Sequence, residues 1–270
     1  MTTVVITGAG GNIGTKLRRH FEGLGWTLKL LDARAPDKAV RVADLSVWDD
    51  GWASAFRGAD AVVHLAANPS PRTSWESAVR LNFDLTMNVY EAAARGGAKR
   101  LIFASSNWVV AGHRFEEWPI TPDVSPYPVN PYGISKLVGE RMGKSYSERW
   151  GLSVICFRIG YCQRGDNQPG THMGWGLWGQ QMWLSDRDLC QAFEKAVVAP
   201  AGVRFAVLNL MSQNAGMRWD LEPTRAAIGY EPRDQSVPQE TDELRLATEA
   251  SRGARRLVEN TEEFIQERRW

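Results

Sequence analysis

The sequence predicts an α/β fold, a doubly wound parallel sheet followed by a small C-terminal part. Three observations predict it. Short apolar runs rich in β-branched residues alternate with longer amphipathic segments, and the runs are nearly continuous in apolar residues instead of alternating with polar ones. A strand covered on both faces needs such a run, and a parallel neighbour needs a helix to return the chain. At 270 residues the chain is also long enough for one large domain with a substantial core.

In chain order, "TVVIT" (3–7) reads as a strand, "NIGTKLRRHFEGL" (12–24) as an amphipathic helix and "WTLKLLDA" (26–33) as a second strand. "AVVHLAA" (61–67), "RLIFASS" (100–106) and "SVICFRI" (153–159) repeat the strand signal, with helices expected near 76–95 and 131–149. From about residue 160 the pattern becomes irregular and richer in glycine and proline. "FAVLNL" (205–210) is the last clear strand, and the polar tail over 242–270 has the period of a solvated surface helix.

Composition excludes several classes. With 32 basic and 31 acidic residues the formal net charge is +1, so nothing draws the chain to nucleic acid or an anionic membrane. No apolar run approaches the roughly 20 residues of a membrane helix. The first residues enter a strand-like run with no basic leader, which suggests a cytoplasmic protein. Cys156, Cys162 and Cys190 are odd in number and lack metal-ligand spacing, as a reducing compartment allows. His20, His64, His113 and His172 are equally scattered, so no metal site is expected.

Chemistry enters with "TGAGGNIG" (7–14). Gly8, Gly11 and Gly14 stand at a strand-to-helix turn, where missing side chains let backbone amides approach a pyrophosphate at a helix N-terminus. A plain tight turn is the alternative, but the flanking strand and helix are those of a dinucleotide site. Asp32 follows Gly14 by 18 residues at the end of the second strand, where a carboxylate accepts from both adenosine ribose hydroxyls and repels a 2′-phosphate. NAD is therefore expected over NADP, although Arg34 close by could tolerate the phosphate. "PYGISK" places Tyr132 and Lys136 at i, i+4 on one helix face. An ammonium there is expected to lower the pKa of the phenol, so that Tyr132 can take a proton from an alcohol as hydride leaves the same carbon.

Together these segments resemble the extended short-chain dehydrogenase/reductase family, also called the NAD-dependent epimerase/dehydratase family. The resemblance covers about residues 1–160 and rests on "TGAGGNIG", Asp32, "ADL" (43–45), "HLAA" (64–67), "LNFDLTMNVYEAA" (81–93), "FASSN" (103–107) and "YGISK" (132–136). It implies a Rossmann domain over 1–160 that binds NAD and carries Ser106, Tyr132 and Lys136 as the catalytic group. Ser106 would bind the reacting oxygen, Tyr132 would be the acid/base, and Lys136 would hold the nicotinamide ribose. The implied cofactor contacts also include Asn12, Ile13, Asp44, Leu45, Leu65, Ala66, Ala67, Asn82 and Ile159. Residues 161–270 would form a small substrate-binding and lid region completing the same globular unit. A homodimer through the helices near 84–95 and 131–149 is implied as well.

Within the family, "FASSN", "FRIGYC" (157–162) and "WLSDRDL" (183–189) are most similar to the branch that oxidises the anomeric carbon of a hexuronic acid to a lactone. That branch has a histidine where this chain has Trp108, a serine where it has Tyr161, and a carboxylate-binding arginine where the alignment puts Trp178. A tryptophan offers a flat apolar face and one N–H in place of a cation. "GTHMGWGLWGQQMWL" (170–184) is thus read as a substrate-covering loop, with Ser105, Ser106, Asn107, Trp108, Tyr161, Trp175 and Trp178 around the substrate. Core or interface packing is the other reading of those tryptophans. Arg164 and His172 are candidates for recognising an anion. The expected function is NAD-dependent oxidation of a hydroxyl of a small sugar or sugar acid. A sugar epimerase or dehydratase with retained NAD, and a non-catalytic NAD-sensing regulator, remain as alternatives at this stage.

Overall fold

The protein is described by a computed structural model, over residues 2–114 and 116–246. The nucleotide turn joins strand β1 (Thr3–Thr7) to helix α1 (Asn12–Gly23). Strands β2 (Thr27–Asp32) and β3 (Val40–Val42) follow, then the short helix α2 (Asp50–Ala53) and strand β4 (Ala61–His64). The helix expected near 76–95 is composite: α3 (Trp75–Ala78) runs into a π-helical stretch (Val79–Asp84) and then α4 (Leu85–Arg95). Strand β5 (Arg100–Ser106) leads through a 3₁₀ segment (Asn107–His113) to the long helix α5 (Pro131–Trp150), capped by the Asn130 side chain and closed by Gly151 in the left-handed region. Strand β6 (Ser153–Ile159), helices α6 (Gly176–Gln181) and α7 (Asp186–Val197), strand β7 (Phe205–Leu210) and helix α8 (Glu222–Ile228) complete the described elements.

Among the described residues, seven strands form one parallel sheet in the order β3-β2-β1-β4-β5-β6-β7. The order reverses at β1 and β4, which opens a crevice at their carboxyl ends. The central strands are buried on both faces, as their continuous apolar runs require. One core, with Leu17, Phe21, Phe157 and Phe193, lies under α1 and α7; the other, with Trp52, Tyr90 and Phe103, lies under α4 and α5. Arg100, buried at the start of β5, donates to the carbonyls of Ala196, Val197, Ala199 and Pro200, so one guanidinium satisfies the open C-terminal end of α7.

Five of the described elements were not expected. Strand β3 has three residues and pairs only with β2, α2 is a single turn between β3 and β4, and α6, α7 and α8 lie in the region that read as irregular. Most of the expected tail helix, from 247 on, lies outside the described residues.

Candidate active site

The glycine turn is built for close approach. Gly8 has φ +71, and a Cβ there would lie 2.8 Å from the backbone N of Ala66. A Cβ on Gly14 would lie 2.3 Å from the carbonyl oxygen of Gly8, so any side chain at either position fills the cradle. Gly11 caps α1, whose first N–H groups face the crevice side of β1. The Asp32 carboxylate accepts from Gly10 N at 2.9 Å and Arg34 N at 3.1 Å, which fixes it at the end of β2 with one lone pair on each oxygen left for a diol. Asp44 is similarly exposed, held by Ser46 and 4.0 Å from Arg80, and these partners keep its carboxyl below the usual range, Ser46 most of all.

Several implied cofactor contacts have other work. Asn12 donates its amide to Cys162 O at 3.0 Å, and Leu45 is buried in the core. Ile13 and Leu65 pack against the α1-side core and Ile159 lies within it at the end of β6, while Ala66 packs against the opposite core and Ala67 is partly buried. Asn82 is buried in the π-helical stretch, where it accepts from Asn68 N at 2.8 Å and donates to Ser135 Oγ at 2.9 Å. Asn82 thus ties the loop after β4 to α5.

Ser106, Tyr132 and Lys136 come together where β5 ends against the start of α5. Ser106 lies close enough to the Tyr132 hydroxyl to favour its phenolate, and its Oγ accepts from Trp108 N at 3.2 Å. Lys136 Nζ lies 5.6 Å from the centre of the Tyr132 ring and 5.0 Å from that of Phe103. The expected lowering of the phenol pKa is corrected here. Burial pushes Tyr132 up to about 12, against the opposing pull of Ser106, and burial pushes Lys136 down to about 8. Desolvation outweighs the local attractions because both groups are enclosed; Lys136 still carries its charge at neutral pH.

The tryptophan segment combines the two readings given to it. Trp175 and Trp178 contact Trp108 edge-on, with ring centres 4.6 and 6.3 Å away, and Trp178 lies 5.7 Å from Trp219. Trp108, Trp178, Met182 and Trp219 share one packed cluster with Tyr132, and Tyr161 and Trp175 lie against it. The aromatics are therefore packed, and Tyr132 belongs to the same cluster. Trp178 is 7% exposed, and its indole N–H is buried without a hydrogen-bond partner. Trp175 adopts φ 74, unusual for a bulky residue, immediately before α6.

Ser105 and Asn107, expected around the substrate, each have partners within the protein. Ser105 donates its hydroxyl to Glu140 at 2.6 Å, and the Asn107 amide is occupied by Met182 Sδ and by Trp219 Nε1. Both side chains are buried in partnerships within the protein. Arg164 and His172 are exposed, and His172 pairs with Gln163 at 3.0 Å. Among the described residues no cluster of His, Cys, Asp and Glu could hold a metal ion.

Known proteins match this arrangement. Residues 4–162 match the model of the NAD dependent epimerase/dehydratase family. An L-arabinose 1-dehydrogenase (NAD(P)(+)) of Haloferax volcanii is 33% identical over 263 residues, covering 88% of this chain and 98% of that protein. A uronate dehydrogenase of Pseudomonas putida is 32% identical over 255 residues, covering 92% of this chain and 88% of its own. The crystal structure of a variant uronate dehydrogenase from Agrobacterium tumefaciens complexed with NAD superposes with a TM-score of 0.75 at 27% identity, covering 87% of this chain and 86% of that one. With its glycine turn, its strand-terminal Asp32 and its Ser106, Tyr132 and Lys136 in one place, this chain belongs to the NAD-dependent epimerase/dehydratase family.

Proposed function

We propose that this protein is an NAD-dependent dehydrogenase that oxidises the anomeric hydroxyl of a small sugar or sugar acid to a lactone. The observation that carries the reading is that Ser106, Tyr132 and Lys136 lie together where β5 ends against the start of α5, with the tyrosine packed in an aromatic cluster. Relatives similar over nearly their whole length act on a neutral aldose and on a uronate, by their names, and both reactions remove two electrons from a C–H carrying a hydroxyl.

The glycine cradle and Asp32 fit a dinucleotide, with Asp32 on the adenosine ribose and the α1 N-terminus at the pyrophosphate. NAD, when bound, supplies the hydride acceptor. In the protein's share of the reaction, Ser106 Oγ holds the substrate oxygen and Tyr132 Oη takes its proton as that oxygen becomes the lactone carbonyl. Lys136 provides a positive charge that favours the phenolate. Trp108, Trp175 and Trp178 exclude water and shape the pocket for the C–H face of a pyranose.

Residues 161–246 serve as the substrate-covering part of the same unit. The three cysteines are all free thiols, as suits the cytoplasm. Pairing of two copies through the 84–95 and 131–149 helices is supported by the exposed Trp75, Val79 and Met87 on the adjoining helical run and by Trp150 at the end of α5. Among the described residues no helix is long and apolar enough to cross a membrane.

The test is NADH formation by the purified protein across neutral aldoses, hexuronic acids and cyclic polyols. Turnover of an aldose or uronate with lactone as product is expected. Turnover of none, with nicotinamide retained by the purified protein, would contradict the proposal and favour an epimerase.

A further inference from the structure

Further along α5 from the proposed acid/base tyrosine lies an ion pair that the reaction does not use. Glu140 and Arg158 are each 3% exposed. Arg158 grips the carboxylate with two parallel bonds, Nε to Oε1 and Nη2 to Oε2, both 2.9 Å. The Ser105 hydroxyl donates to the same Oε1 at 2.6 Å, and Arg158 Nη1 donates to Pro122 O at 3.1 Å. Removing two charges from water offsets most of what such a pair gains, so stability alone is a weak reason for it.

Its connections suggest another reason. Phe103 and Ser105 lie two apart on β5 and share a face of the sheet; Lys136 and Glu140 lie four apart on α5 and share a face of the helix. Lys136 meets the Phe103 ring while Glu140 meets the Ser105 hydroxyl, so helix and strand are matched at two successive points. Ser105 immediately precedes Ser106, and Arg158 brings in the strand that leads to Tyr161. A shift of β5 along α5 would therefore separate Ser106 from Tyr132.

We propose that Ser105, Glu140 and Arg158 are positioning residues that set the register of α5 on β5, so that Tyr132 meets Ser106 within hydrogen-bond reach. The inference rests on the dehydrogenase reading of that site.

The test is Ser105→Ala, which deletes one hydroxyl and leaves the ion pair in place, with Ser105→Thr as the variant that keeps it. A misplacement near 1 Å costs up to about a hundredfold in rate. For Ser105→Ala we expect kcat to fall roughly tenfold or more, KM for NAD to stay within about twofold, and the rising limb of the kcat profile for oxidation to move to higher pH. That last shift follows because Ser106 opposes the upward push on Tyr132. Ser105→Thr should recover most of the activity. Crystal structures of NAD-bound wild type and Ser105→Ala give a readout independent of turnover, with Ser106 Oγ and Tyr132 Oη expected farther apart in the variant. An unchanged separation between the two crystals, or a kcat loss with an unmoved pH profile, would overturn the inference.

Discussion

Replacing Gly14 by alanine sets two opposed effects against each other. The residue lies in α1, where alanine is favoured over glycine by about 1 kcal/mol. The new Cβ would, however, lie 2.3 Å from Gly8 O and 2.8 Å from both Ala9 C and Ala9 Cα. All three are backbone atoms, so no side-chain rotation relieves the overlap, and Gly8 O already accepts from Gly11 N at 3.0 Å within the turn. Overpacking costs about 1–3 kcal/mol, and immovable neighbours put this case at the upper end. The steric term therefore wins by about 2 kcal/mol, which is roughly thirtyfold in an equilibrium constant if it falls on the cradle. Calorimetric titration with NAD should show that weakening. Gly23→Ala, at the other end of the same helix with nothing within 4 Å of its Cβ, is the control and should bind NAD normally with equal or higher Tm. Unchanged NAD affinity in folded Gly14→Ala would refute the assignment of the turn to the cofactor.

Asp32→Ala should weaken NAD and improve NADP relative to it, measured as the ratio of their kcat/KM values; a constant ratio would remove Asp32 from the ribose. His64, buried between Thr7 Oγ1 at 2.8 Å and Thr86 Oγ1 at 3.2 Å, has its pKa lowered to about 3, by burial first and by the Lys136 charge second. The unfolded chain binds a proton at His64 below about pH 6.5 and the folded protein does not until about 3, so stability falls as pH drops through that window. By pH 4 the loss should be about 3 kcal/mol, and urea midpoints of His64→Gln should lack that part of the acid limb.

The nucleotide half was legible because its signals are local. The glycine turn, Asp32 and the Tyr132–Lys136 pair are each fixed by short spacings within or between adjacent elements, and the strands and helices expected around them are present. Helix α7 was also within reach: Ser185 caps it by accepting from Asp188 N, and "SDRD" carries that cap with acidic residues in the first turn. Helix α8 carries proline at its start and Gly229 just past its end. Strand β3 was not legible, since three residues show no period and only pairing with β2 defines them.

The substrate side was less legible for a different reason. Ser105 and Asn107 look like pocket residues because they flank Ser106, yet which way each points depends on Glu140 and Trp219, 35 and 112 residues away. The rise in the Tyr132 pKa escaped for the same cause, because the tyrosine is buried in a cluster drawn from separate segments of the chain. Local spacing carries the chemistry that a residue can perform, whereas tertiary packing decides its surroundings.

The central claim is that Tyr132 moves the proton when the sugar is oxidised. The most direct measurement is turnover of Tyr132→Phe on the best aldose or uronate substrate, alongside calorimetric NAD binding to the same preparation. The account predicts a kcat lower by about 10²–10⁴ with NAD affinity retained. Near-normal kcat in a variant that binds NAD as the wild type does would contradict it.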